Sequence, residues 1–87
     1  MVEKNATIEN ETGLHARPAS IFVEEAGAYE AEIKVIKDNT EVNAKSIMGI
    51  MSLGAEQGSE IVIQAKGSDA EAAADKLVNL IENGFDE

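Results

Sequence analysis

The 87-residue chain has no cysteine and no tryptophan, with one tyrosine, two phenylalanines, one proline and one histidine. Without cysteine there is no disulfide and no thiolate metal ligand, and nothing points to an oxidising compartment. With so few aromatics, Leu, Ile, Val and Ala must fill the core, and a chain of this length builds a thin one. A deep pocket enclosing a small molecule is therefore not expected. Any site should lie on the surface, with a partner supplying the rest of the chemistry. No apolar run approaches the ~20 residues of a membrane span. The opening "MVEKNATIEN" also lacks the apolar stretch of a signal peptide. The expectation is one cytoplasmic domain over residues 1–87 with no membrane insertion. The triplets "NAT" and "NET" are then chance matches, since glycosylation needs secretion.

Positive charge is scarce too. Seven basic residues stand against 17 acidic ones, a formal charge of −10. Nucleic-acid binding needs a basic stripe, so no nucleic-acid partner is expected. The acidity itself reads first as solubility. It is not evenly spread, however. Segments 12–23, "TGLHARPASIFV", and 42–55, "VNAKSIMGIMSLGA", cover 26 residues and contain none of the 17 acids. Proportional scatter would place roughly five there, and such patterning often marks a distinct surface.

"VEKNATI" alternates, with Val2, Lys4, Ala6 and Ile8 on one face, and predicts a half-buried strand. From Ala16 the apolar residues Ala19, Phe22, Val23 and Ala26 recur at helical spacing, with Gly27 as the expected stop. "AEIKVI" (31–36) reads as a strand, "KDNT" (37–40) as a tight hairpin turn and "TEVN" as a short return strand. "SIMGIMSLG" fits a brief helix capped by Ser46 and ended by Gly54. "EIVIQAK" (60–66) is a strand. "SDAE" (68–71) reads as a capping box, with Ser68 as N-cap and Glu71 reaching back. Ala70, Ala73, Ala74, Leu77, Val78 and Ile81 then give the last helix its apolar face, and Gly84 stops it. The order β-α-β-β-α-β-α predicts an α+β fold: a two-layer, open-faced sandwich of four mostly antiparallel strands with helices on one face. Ile36 and Val62 would then sit on the open face.

The scarce chemistry is gathered in "GLHARPAS". The only histidine, arginine and proline, His15, Arg17 and Pro18, fall within four residues. His15 stands at or just before the start of the first helix, where backbone N–H groups lack partners and the dipole is positive. Proline suits a first turn, because its missing N–H is not needed there. It disfavours helical backbone at Arg17, so the boundary could slip by a residue or two. A helix start beside an arginine fork is an anion site, built here from Ala16, Arg17 and Pro18. His15 adds an imidazole nitrogen able to carry a phosphoryl group covalently. Gly13 lets the backbone turn sharply just before it. Taken singly, each residue has an ordinary explanation as a cap, a surface cation or a first-turn proline. Their coincidence in an acid-free segment favours a phosphoryl site.

The second acid-free segment is rich in Ile, Met and Leu. A short helix cannot hide all of them, so an exposed apolar patch is expected, and methionines suit a surface that fits several partners. Ser46 has a structural role as N-cap. A phosphate there would suit the helix dipole and add negative charge to an acid-free face.

The two motifs identify a resemblance. "GLHARPAS" is similar to the active-site motif, and "KSIMGIMSLG" to the regulatory-serine region, of the HPr family of phosphocarriers in the bacterial sugar phosphotransferase system. The likeness runs over essentially the whole chain. It implies the sheet order 1-4-2-3 with three helices on one side. It implies that His15 takes a phosphoryl group on Nδ1 from Enzyme I and passes it to the A domains of Enzyme II permeases for sugar uptake, with Arg17 assisting. Ser46 matches the serine modified by HPr kinase/phosphorylase, whose product binds a catabolite-control repressor. Thr12, Ser20, Ile47, Met48, Met51 and Leu53 are the docking residues it implies. It further implies a monomeric carrier with no cofactor and no turnover of its own.

Two other functions compete. One is a mainly regulatory co-effector of catabolite repression acting through phosphorylated Ser46. The family's paralogue of that kind lacks the active-site histidine, which is present here. The other is a metal or nucleotide binder. One histidine and no cysteine speak against structural zinc. "GIMSLGAE" lacks the Lys-Ser/Thr of a P-loop, and no EF-hand pattern occurs.

Overall fold

A computed structural model describes residues 1–86 of the chain. The elements are β1 (Val2–Thr7), α1 (Ala16–Gly27), β2 (Glu32–Lys37), β3 (Thr40–Asn43), α2 (Ile47–Ser52), β4 (Glu60–Lys66) and α3 (Ala70–Glu82), followed by a 3-10 turn at Gly84–Asp86. The four strands form one sheet in the order β1-β4-β2-β3. Every neighbouring pair is antiparallel. The expected β-α-β-β-α-β-α sandwich with three helices is what the chain forms.

Alternation along the strands sets the two faces. Ala6, Ile33, Val35, Ile61, Ile63 and Ala65 turn inward and are buried. They meet Phe22 and Ala26 of α1, Ile50 of α2, and Leu77 and Ile81 of α3 in one core. Each large aliphatic or aromatic side chain fully buried there contributes about 1.5–3 kcal/mol. Val78 is only partly buried at the core's edge. On the open face Ile36 lies directly across from Val62. Their flanks are Asn5 and Glu41. The two aliphatics thus shield each other as a cross-strand pair on an otherwise polar surface.

Lys4 shares the inward side of β1 but sits at its margin. Its ammonium reaches Asp75 at 2.6 Å and Glu71 at 3.2 Å on α3. The hydrogen bond it donates to Asp75, then the one it donates to Glu71, raises the lysine's pKa above its ordinary value. Lys37 and Thr40 close the hairpin as a register pair, leaving Asp38 and Asn39 as its loop. Asp38 takes a left-handed φ of 56°, a conformation Asp tolerates.

Two helix ends differ from expectation. Gly27 is the last residue of α1, with Ala28 as the C-cap. The N-cap of α3 is Asp69, and its side chain makes no capping bond. The capping box of Ser68 and Glu71 does not form. Glu71 pairs with Lys4 instead. The Asp69 carboxylate turns away from its own helix and accepts the backbone N–H groups of Glu30 (2.8 Å) and Ala31 (2.9 Å). It thereby pins the loop between α1 and β2.

The Glu30 N–H bond chiefly holds the Asp69 carboxyl below its ordinary 3.8, with the Ala31 bond and Lys45 acting in the same direction against partial burial. A lowered folded-state pKa gives stability that is full above the unfolded value and fades as pH falls through the folded one. Thermal melts taken downward from about pH 5 should show this acid loss. Asp69→Asn should have a lower Tm at neutral pH and a shallower fall below pH 3.8. Equal slopes for both proteins would rule the tether out as a source of acid sensitivity. Among the described residues no helix is long and apolar enough to cross a membrane.

Candidate phosphoryl-acceptor site

The backbone before α1 is held from two sides. Gly13 has φ +64°. A Cβ at this position would lie 2.4 Å from the carbonyl oxygen of Ala55 and 2.7 Å from Cα of Glu56. Glycine is needed here for both dihedral and space. Leu14 N–H donates to the same Ala55 oxygen at 3.0 Å. Asn10, buried at 5% exposure, donates through Nδ2 to the Gly13 oxygen (2.8 Å) and to Thr12 Oγ1 (3.1 Å). Its own carbonyl accepts Gly13 N–H at 3.2 Å. Asn10 was not legible as a site residue. In the sequence it is one polar residue in the turn "NETG", and its burial follows only from the packing of that turn.

His15 follows as the N-cap of α1, with extended backbone and no side-chain capping bond. Its carbonyl accepts the first helical bond, from Ala19 N–H at 2.8 Å. Ala16, Arg17 and Pro18 are the first three helical residues. Pro18 has no N–H, so the N–H groups of His15, Ala16 and Arg17 are the ones the helix start leaves without an intrahelical partner. No acid stands in the first turn. Arg17 adopts helical backbone despite the proline after it, so the boundary does not slip. His15, Ala16, Arg17, Thr12 and Ser20 are exposed, while Pro18 is buried. Among the described residues Arg17 makes no ion pair; the four pairs present all involve lysines.

α2 packs on α1. Ser46 is its N-cap as expected, its Oγ accepting Gly49 N–H at 3.1 Å. Ile50 is the buried anchor. Ile47, Met48 and Met51 turn outward, at 39%, 77% and 45% exposure. Leu53 does not join them. It is buried with the core, because the end of α2 turns this side chain inward. Met51 lines a shallow hollow together with His15, Leu14, Gly54, Ala55 and Glu56. The apolar patch and the imidazole are therefore contiguous. Glu56, one residue beyond the acid-free window, is the one acidic residue among those that line the hollow. Lys45 reaches the other way and donates to the Tyr29 carbonyl at 2.7 Å.

The exposed imidazole of His15 thus stands at a helix start that no side chain caps, and Arg17, two residues on, is exposed as well. Residues 2–83 match the family model for the "PTS HPr component phosphorylation site". Among curated relatives, the HPr-like protein Crh of Halalkalibacterium halodurans is 48% identical, covering 94% of this chain and 98% of that one. The phosphocarrier protein HPr of Treponema pallidum is 40% identical, covering 100% and 99%. The crystal structure of HPr-C-His from Thermoanaerobacter tengcongensis superposes with a TM-score of 0.97 at 54% identity, covering 100% and 98%. The HPr of that organism has also been solved as a dimer, with a TM-score of 0.80 at 54% identity and full coverage of both chains. Fold, site and these likenesses converge: the chain belongs to the HPr family of phosphocarrier proteins.

Proposed function

We propose that this protein is a phosphoryl relay, taking the group from phosphorylated Enzyme I and delivering it to Enzyme II A domains. The observation that carries the proposal is the uncapped start of α1, with His15 exposed at its tip. The lone pair of His15 Nδ1 attacks the phosphorus. A P–N bond forms at His15 as the bond to the donor nitrogen breaks, and the donor ring keeps the electron pair. Ala16 and Arg17 N–H groups and the Arg17 fork hold the phosphoryl oxygens. Onward transfer is the same step with the roles exchanged. Residues 1–87 act as one cytoplasmic, monomeric domain that needs no cofactor and has no turnover of its own. Thr12, Ser20, Ile47, Met48 and Met51 form the docking face, and Leu53 supports it from beneath.

The test is transfer from phosphoenolpyruvate with purified Enzyme I, read by phosphorus NMR and acid lability. An acid-labile, base-stable phosphohistidine at His15 is expected. A folded protein that takes no label at His15 would overturn the relay.

A regulatory role through Ser46 is the second reading, favoured by the Crh relative and by the placement of Ser46 beside the patch. HPr kinase/phosphorylase would add the phosphate, and a catabolite-control repressor would read it. The added charge of about −1.5 to −2 sits where a helix dipole accepts it, so α2 persists while docking changes. Ser46→Asp should keep its circular dichroism, since aspartate is a good N-cap. Its kcat/KM with Enzyme I should fall roughly tenfold, about 1.4 kcal/mol. Unchanged kinetics would remove the electrostatic account.

A further inference from the structure

We propose that Met48 and Met51 make the docking face sensitive to peroxide, so that their oxidation blocks phosphoryl transfer without unfolding the protein. The inference rests on the docking role proposed for α2. With no cysteine in the chain, the methionine thioethers are its only readily oxidised sulfurs. All three methionines are exposed, Met1 at 83%, Met48 at 77% and Met51 at 45%. Two of the three fall within the six-residue helix α2, and Met51 lines the hollow that holds His15.

The chemistry is a two-electron oxygen transfer from hydrogen peroxide. A sulfur lone pair attacks one peroxide oxygen, the O–O bond breaks, an S–O bond forms and water leaves. Sulfur is oxidised and the peroxide is reduced. The product is a polar, chiral sulfoxide in place of a flexible apolar group, and methionine sulfoxide reductases reverse it.

The positions separate the effect on docking from any effect on folding. Ile50, at 0% exposure, anchors α2. The Ser46 cap closes its N-terminus. Neither involves a methionine, so oxidation leaves the helix seated. At Met48 the new oxygen sits on the most exposed part of the patch, and burying it against an apolar partner surface without a donor is unfavourable. At Met51 it enters the hollow shared with His15 and adds a strong acceptor beside a group that must receive an anion. Met1 serves as an internal control. It lies with Glu32, Lys34 and Gln64 on the sheet, apart from His15.

The protein is treated with hydrogen peroxide, freed of it with catalase, and mapped by peptide mass spectrometry. Oxidation at Met48 and Met51 is expected, with the melting curve retained and kcat/KM for transfer from Enzyme I lowered about fivefold to tenfold. Methionine sulfoxide reductases A and B should restore the rate. The Met48→Leu/Met51→Leu double variant, compared with its own untreated sample, should keep its rate after peroxide. Full transfer by protein oxidised at both positions would overturn the proposal, as would equal loss in the leucine variant. Failure of untreated protein to accept phosphate would instead strike the relay itself.

Discussion

His15→Ala should accept no phosphoryl group from Enzyme I, while its fold and melting temperature stay close to those of the parent. The imidazole is exposed and caps nothing, so its removal leaves no cavity and no unpaired buried group. Substitutions at such sites change stability by about 0.5 kcal/mol or less. Phosphorus NMR and acid-labile labelling read the acceptor, and a thermal melt reads the fold. Labelling of the alanine variant at the parental level would place the acceptor elsewhere. A large drop in Tm would mean that His15 supports the helix start in a way its geometry does not show.

The second large effect is structural. Gly13→Ala should destabilise the protein by about 3 kcal/mol, combining a left-handed backbone disfavoured for alanine with a clash against main-chain atoms. For a chain of this size that lowers Tm by on the order of 15 °C. The clash partners, Ala55 O and Glu56 Cα, are backbone atoms that cannot rotate away. Gly54 provides the matched comparison. It has φ +63° but open space where a Cβ would go, so Gly54→Ala should cost only the dihedral term, about 1 kcal/mol. Equal losses in the two variants would show that the contact between the His15 loop and the Ala55–Glu56 segment carries no weight.

What could be read from the sequence was local. Alternation in "VEKNATI" and "EIVIQAK", the three-four spacing from Ala16, and the Ser46 cap each depend on neighbours within a turn or a strand. The hairpin at Asp38 and Asn39 is likewise local. The features that could not be read depend on distant partners. Asp69 stands next to Ser68 in a good capping box, but its carboxylate finds the Glu30 and Ala31 amides, and these are adjacent only after the sheet forms. Glu71 leaves the box for Lys4 on a different element. Leu53 is one more apolar residue in "IMSLG", and only the turn after α2 decides that it points inward. Asn10 looks like an ordinary turn residue until the loop folds over it. The candidate site could be picked out in the sequence because His15, Arg17 and Pro18 lie within four residues. Its support could not, because Ala55 and Glu56 come from the other half of the chain.

That support has a consequence for biosynthesis. "GLHARPAS" leaves the ribosome well before Ala55, since chains are made from the N-terminus. Until Ala55 arrives, Leu14 N–H has no carbonyl to meet and Gly13 has nothing to pack against. The histidine is present but its pedestal is missing. The loop that carries His15 therefore gains its support only when both halves of the chain have come together.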